Sequence, residues 1–428
     1  MEKLLEMAKK VSDQAEVYSQ ESSSNSVSFE NAKLHDIESE FSAGIALRII
    51  KDGKLGFAYT RNLNSREELI SHAIHSLKGK VAADFQLPSY QKLPTVDTYD
   101  KRIDEISSTR LVEECSRINA NWKEKTKAEI ASASWTYTDE MRLINSKGID
   151  YSNKSSGYGT YGGLGFPGGA SGIRRSINNK SFVPFSESSS DEMIKLFNIG
   201  EKIVQPKSGK MKVIFMPGSL YTLTWRFTTG TNAQSIYEKT SPIAGKIGQH
   251  IFSDKLTIFT DPLNDNFNSA TAFDEEGVPT SKLILVENGV LKSFYYDLYY
   301  AQKLGVKSTG HGYKANYAGK PSPRPAHLTF LPGNVTFAEM IKMIDRGIIL
   351  EGAMGAHSGN IPNGDYSVGV NPGLYVENGE IIGRVKDSMI AGNSYETMKN
   401  VIAVENKPHN IGSRMPAVLF DDVSFSGK

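Results

Sequence analysis

The sequence predicts an α+β protein of two domains: residues 1–195 as a mixed antiparallel sheet with helices, and 205–428 as a sheet-dominated, barrel-like domain. Three observations carry that prediction. Short apolar/polar alternations precede the first long helical segments, without the strict strand-helix alternation of a doubly wound sheet. The pairs Asp52-Gly53, Asn288-Gly289 and Asn378-Gly379 each stand between β-rich runs, and type I′ hairpins need the positive φ that these residues tolerate. The chain of 428 residues also exceeds what one core usually fills, domains running on the order of 100 to 200 residues.

The opening MEKLLEMAKKVSDQ places Leu4, Leu5, Ala8 and Val11 on one face of a helix, while Glu2 and Glu6 interrupt any signal-peptide core. AEVYSQES, SVSFEN, IALRII and LGFAYT follow as short strands, the last two joined at Asp52-Gly53. Helices are expected at SREELISHAIHSLKG and STRLVEECSRINANWKEKT, on either side of a polar, Pro-containing connection, and strands again around ASASWTYTDEMRLINSKG. Residues 152–190 are rich in Gly, Ser and Asn, and within them GYGTYG, Gly157 to Gly162, reads as a flexible or edge-strand loop over a groove. The domain boundary falls near 190–208, where the helix DEMIKLFNIGEKIV leads to the strand KVIFMPG. A helix over LYTLTWRFTTGTNAQSI, residues 220–236, comes next. The remainder is mostly strands, KLTIFTD, KLILVENGVLKSFYYD, AHLTFLPG, GIILEGA, GLYVENGEIIGRV and AVLFDDVSF, with short helices at TFAEMIKMIDRG and SYETMKNV.

Composition narrows the function classes. Lys+Arg number 49 against 48 Asp+Glu, so no overall field exists to hold nucleic acid or an anionic membrane, and direct DNA contact is not expected. No apolar run approaches the roughly 18 residues of a membrane span. One cysteine, Cys115, allows no intramolecular disulfide, which points to the cytosol.

Several residue patterns invite chemical readings. GYGTYG, Gly157 to Gly162, matches G-x-G-x-x-G but opens no helix, so it lacks the turn that seats a pyrophosphate. No P-loop motif is present. His72 and His75 share a helical face without a further ligand at metal-site spacing, and read as surface residues. Cys115 lies on the apolar side of its helix with Leu111 and Ile118, as a buried inert thiol does. In the second domain, Asp274, Glu275 and Glu276 crowd beside a turn, and Gly/Pro-punctuated loops carry His311, His327 and His357. Such loops suit peptide or ligand contact, and the histidines and carboxylates are also candidates for a metal site should the fold bring them together.

Taken in order, NSKG (145–148), SPIAGKIGQHI, LTIFTDP, FDEEGVPTSKLILVENGVLKSFYYD, KLGVKSTG, LPGN, DRGIIL and KDSMIAGNSYETMKNV resemble the TldD/PmbA family, whose PmbA members are also called TldE. The resemblance covers most of the chain. It implies a system in which TldD is a zinc metallopeptidase working with TldE as a pair on small or unfolded peptides in the cytosol. The TldD subunit carries H-E-x-x-x-H on a helix after a strand, two histidines ligating zinc and the glutamate activating metal-bound water, with a cysteine near the C-terminus as a further ligand. Here the corresponding helix, from Leu220 to Gln234, contains no His, Glu, Asp or Cys, and Cys115 stands in the other domain. Its threonines are poor zinc ligands and Arg226 repels a cation.

The resemblance therefore implies a TldE-like subunit with no zinc or other cofactor of its own, partnered by a TldD-like chain. Trp225, Arg226, the Gly-rich 157–172, Asp274, Glu275, Glu276 and the loops with His311, His327 and His357 are its candidate cleft or partner contacts. Leu220, Leu223 and Phe227 simply pack the helix onto the sheet. Two alternatives remain from the sequence: an autonomous metal-dependent peptidase with a relocated site at His311, His327, His357 and nearby carboxylates, and a homodimeric, non-catalytic peptide-binding protein. PmbA members are also called modulators of DNA gyrase; the balanced charge favours an indirect effect through proteolysis.

Overall fold

The computed structural model describes residues 1–427 apart from 63, 170 and 409–413. Position 170 of the Gly-rich stretch and the last position of the second predicted domain thus lie outside the described residues.

Helix α1 (Glu2–Lys9) lays Leu4, Leu5 and Ala8 onto a six-stranded sheet. Its strands are β1 (Gln14–Glu30), β2 (Lys33–Lys51) and β3 (Lys54–Thr60), then, after helices α2 (Arg66–Ser76) and α3 (Ser108–Lys125), β4 (Glu129–Asn145), β5 (Asp150–Gly165) and β6 (Gly172–Asn179). The order is β3-β2-β1-β4-β5-β6, antiparallel throughout. AEVYSQES and SVSFEN, predicted as separate strands, are one strand. Ser22 is paired to Ser42 on one side and Asp139 on the other, and two backbone ladders hold a polar stretch that propensity alone would not extend. Ser107 caps α3, accepting from Arg110 N–H, and the helix presses Leu111, Cys115, Ile118 and Trp122 inward.

The segment Gly157 to Gly162, expected as a flexible or edge-strand loop, lies inside β5, which is paired on both sides. The glycines of β5 lie beneath aromatic rings of β4: a Cβ at Gly157 would stand 2.3 Å from the Tyr137 ring, and one at Gly159 2.2 Å from the Trp135 indole. The G-x-G-x-x-G spacing is thus a strand making room for its neighbour's aromatic side chains.

Helix α4 (Glu187–Gly200), capped by Ser186, lies where the boundary was expected, but it joins the halves. Its Met193 and Phe197 share one core with Leu164 and Ile173 of the first sheet and with Ile349, Leu374 and Leu419 of the second. Beyond it run β7 (Ile203–Val204), β8 (Gly209–Phe215), α5 (Pro217–Thr231) and α6 (Ala233–Tyr237). The second sheet is a ten-stranded, curled half-barrel, with β8 between Arg346–Leu350, parallel, and Val418–Gly427, antiparallel. Val213 and Phe215 face the core that receives α5, while Ile214 faces the core shared with α4. Burial on both faces explains why VIFM, residues 213–216, is continuously apolar.

The three predicted hairpins form, with φ of 50° and 66° at Asp52 and Gly53, 45° and 76° at Asn288 and Gly289, and 51° and 78° at Asn378 and Gly379. Helix TFAEMIKMIDRG is realised as Phe337–Lys342, closed by a capping box between Thr336 and Glu339. Among the described residues no helix is long and apolar enough to cross a membrane.

Candidate functional site

The stretch expected as one helix over 220–236 is two. Pro217 at the first turn pre-sets φ for α5, and Leu220, Leu223 and Phe227 bury its inner face. Thr228 and Thr229 return hydrogen bonds to the Trp225 carbonyl, and the helix stops at Asn232. Asn232 is extended, accepts from Gln234 N–H to cap α6, and donates to the Pro323 carbonyl. Tyr395 packs where a Cβ on Gly230 would stand and donates to the Arg226 carbonyl.

Arg226 is fully buried, 0% exposed. Its Nε donates to the Asp365 carbonyl at 2.6 Å, Nη1 to the Thr222 carbonyl at 2.9 Å, and Nη2 to the Ala356 and Ser358 carbonyls at 2.9 and 2.8 Å. Four backbone acceptors from its own helix and the 352–366 segment thus surround a cation without a carboxylate at hydrogen-bond distance, and the guanidinium clamps that loop to α5. Burial lowers its proton affinity. The opposite face of α5 is an exposed stripe of Gly218, Tyr221 and Trp225, the last 44% exposed. Tyr221 donates to the Ala353 carbonyl at 2.8 Å, fixing the outermost strand of the large sheet, Ala353–Met354, beside the start of the helix.

That strand forms one wall of a hollow of about 410 Å³ between the two halves of the molecule, lined also by Tyr161, Arg174, Gly218 and Asn371. An adjoining hollow of about 250 Å³ shares Met354 and Asn371 and reaches Phe166, Gly168 and Lys386. Beside them Arg175 bridges the halves, bonding Glu351 at 2.6 Å and Glu192 at 3.0 Å. The volumes suit a few residues of an extended peptide. Tyr161 and Gly168 belong to the Gly-rich stretch singled out in the sequence, and Met354 to the Gly-punctuated loop that carries His357; Arg174 and Asn371 carried no local mark, because only tertiary folding brings them to the wall. Trp225 lines neither hollow.

The other candidates are dispersed. His311 is buried; its Nδ1–H donates to the Thr309 carbonyl at 2.8 Å, so Nε2 accepts from Thr260 Oγ1–H at 2.9 Å, and burial pushes the imidazole down to about 4. His327 stacks on Phe267 with centroids 4.2 Å apart, and its Nε2 lies 3.3 Å from Ser269 Oγ. His357 is exposed on the loop that Arg226 clamps. Asp274 accepts from the N–H groups of Glu276, Val278 and Gly312 at 2.8 to 3.0 Å, and burial, then Glu276, raises its pKa. Glu276 bonds Arg48 at 2.8 Å and Leu298 N–H at 2.7 Å, and Arg48 bonds Glu16 at 2.8 Å. Glu275 accepts from Tyr18 OH and Lys314 N–H, and burial raises its pKa; the Lys314 ammonium, pushed down to about 8 by burial, sits 3.4 Å over the Tyr18 ring. Glu275 and Glu276 join the two halves of the molecule, Asp274 holds their turn, and the three do not converge with the three histidines.

His72 and His75 are exposed and Cys115 is buried, its thiol pushed up to about 11 by burial. Among the described residues no three His, Cys, Asp or Glu side chains form a group able to hold a metal ion. The donors on α5 are threonine hydroxyls and aromatic side chains beside a buried guanidinium, a set that does not fit zinc.

Comparison with known proteins bears on this arrangement. Residues 208–427 match the model of the PmbA/TldA metallopeptidase C-terminal domain, and residues 15–77 that of PmbA/TldA metallopeptidase domain 1. An uncharacterized protein of Methanocaldococcus jannaschii is 27% identical over 98% of both chains. A metalloprotease of Methanothermobacter thermautotrophicus is 26% identical over 91% of this chain and 87% of its own. The crystal structure of TldE from Thermococcus kodakarensis superposes with a TM-score of 0.91 at 26% identity, covering 100% of both chains.

Proposed function

The chain belongs to the PmbA/TldD metallopeptidase family, and we propose that within it this protein is a TldE-like subunit of a cytosolic system cleaving small or unfolded peptides, carrying no zinc itself. The observation that carries this reading is the construction of α5. The two histidines of an H-E-x-x-x-H motif stand five residues apart, and no position of this helix supplies either one: its exposed face holds Tyr221 and Trp225, and its interior holds Arg226 bonded to four carbonyls. A guanidinium solvated by backbone carbonyls keeps its positive charge and so opposes a metal at this place, and it braces the loop beside the hollows instead.

The hollows along Tyr161, Gly218 and Met354 are the proposed peptide cleft. Its walls position a chain but offer no activated nucleophile, so bond cleavage falls to a TldD-like partner. The test is to purify this chain and a TldD-like subunit separately and together, following hydrolysis of a small peptide and the zinc content of each. Hydrolysis by the pair well above either chain, with zinc in the partner alone, is the expected result. No gain on mixing, or stoichiometric zinc in this chain, overturns the proposal.

A further inference from the structure

Strand β2 has two unequal edges. One is paired with β1 from Ile50 to Lys33, with a bulge that leaves His35 unopposed. The other is paired with β3 only from Lys51 to Ile45, where β3 ends at Thr60. Among the described residues the outer edge has no partner strand from Ala43 back to Lys33; a bulge at His35 breaks the alternation near its far end, leaving about 25 Å of regular backbone from Ala43 to Asp36 in which every second residue turns its N–H and C=O outward, while the Ile37 N–H donates to Asp36 Oδ1 at 2.8 Å. The vacant place is the straight continuation of β3.

The side chains along this edge are sorted by face. Ile37 and Phe41 point to the face that α3 covers farther in, where Val27, the neighbour of Ile37, is buried with Leu111 and Cys115. They are 49% and 70% exposed. On the opposite face stand Asp36, Glu38 and Glu40, all exposed; none is in an ion pair among the described residues, and Arg61, just past the end of β3, is the basic group close enough to act on Glu40. Edge strands are ordinarily protected by charges, a bulge or a proline; this one has the acidic row and the bulge at His35 but no proline, and it keeps an exposed phenylalanine and isoleucine.

The acidic row decides what can pair there. In an antiparallel sheet, directly opposed residues share a face, so a second copy of β2 docking about Ser39 sets Glu38 against Glu40 of the other copy. Shifting the register by one step sets Glu38 against Glu38, or Glu40 against Glu40. Every such register opposes like charges at about 5 Å, which is unfavourable. The same row favours basic side chains at alternate positions, and Ile37 and Phe41 favour apolar ones between them.

We infer that the free edge of β2, residues 33–43, binds an extended polypeptide segment in which Lys or Arg alternates with apolar residues, adding it to the sheet in line with β3. This goes beyond the proposed subunit role and holds whether or not the chain works with a peptidase. The test uses the full chain and two labelled synthetic peptides, one alternating Lys with Val and one alternating Glu with Val. The Lys-Val peptide is expected to bind about tenfold tighter or more, to weaken as salt is raised, and to slow amide exchange within residues 33–43. The variant D36K/E38K/E40K, altering only exposed side chains, is expected to reverse the preference, and Phe41→Ser to weaken both. Equal binding of the two peptides, binding of neither, or binding without slowed exchange at this edge overturns the inference and leaves the acidic row as a guard against self-pairing.

Discussion

His311 shows how a residue that looks chemical becomes structural. Its Nδ1–H is spent on the Thr309 carbonyl and its Nε2 on the Thr260 hydroxyl, so the ring is neutral and satisfied, with a folded pKa of about 4 against 6.5 for a free imidazole. Between those values the unfolded chain takes up a proton that the folded one refuses. The contribution of His311 is therefore present above pH 6.5 and lost as pH falls toward 4, by at most about 1.4 kcal/mol per pH unit. Asp297 works in the opposite sense: burial, then Glu276, pushes its carboxyl up to about 7 from 3.8, so its contribution is present below pH 3.8 and lost as pH rises toward 7. Substituting His311→Asn is expected to narrow the difference in urea midpoint between pH 6.5 and pH 4.5. A variant that keeps the parent's full difference would show that the loss arises elsewhere. The sequence displayed His311 in a Gly-rich loop, a setting shared by catalytic and by buried histidines; what separates them is Thr260, which no local pattern connects to it.

At the scale of the element, the hairpins were legible because their cause is local. Asn-Gly and Asp-Gly supply positive φ within two residues, and the turns follow wherever β-rich runs flank them. Strand β5 was not legible, because its glycines answer to the facing strand. Gly159 leaves the space that the Trp135 indole occupies, so the composition of a loop is in fact the imprint of a neighbour. Gly159→Ala is expected to cost about 2 kcal/mol or more, since the new Cβ would lie 2.2 Å from the half-buried Trp135 indole within a paired strand. Gly169→Ala, whose Cβ would meet only the Ser171 amide at 4.0 Å, is expected to stay within about 0.5 kcal/mol. Denaturant unfolding of both variants, followed by tryptophan fluorescence, checks the contrast; equal costs would mean that the ring gives way freely. The break between α5 and α6 belongs with β5: Asn232 ends one helix and caps the next because the Pro323 carbonyl and Tyr295 strand segment are there to receive it.

For the whole molecule, the two halves are bound by a shared apolar core around α4 and by a charged one around Arg48. The latter has its own logic. Arg48 sits in IALRII, in the middle of an apolar strand, and reaches Glu16 within its own sheet and Glu276 in the second half, all three buried. The turn FDEEG, with its crowded carboxylates, thus seats its last glutamate on a cation from the first sheet, while Asp274 folds the turn around itself and Glu275 meets Tyr18. The pattern of residue types predicted strands and a turn, but not that a charge buried in one should answer a charge buried in the other. Arg48→Met keeps the volume and removes the cation, leaving Glu16 and Glu276 without their guanidinium partner in the interior; a loss of about 3 to 5 kcal/mol is expected. Adding Glu16→Gln and Glu276→Gln to that variant removes the stranded charges, and is expected to recover a substantial part of the loss, because most of the cost lies in the unpaired carboxylates and not in the missing attraction. Calorimetry of the three proteins separates the cases. A midpoint unmoved by Arg48→Met would mean that the apolar core around α4 alone sets how the halves hold together, whereas recovery in the triple variant would assign that role to the balance of charge between them.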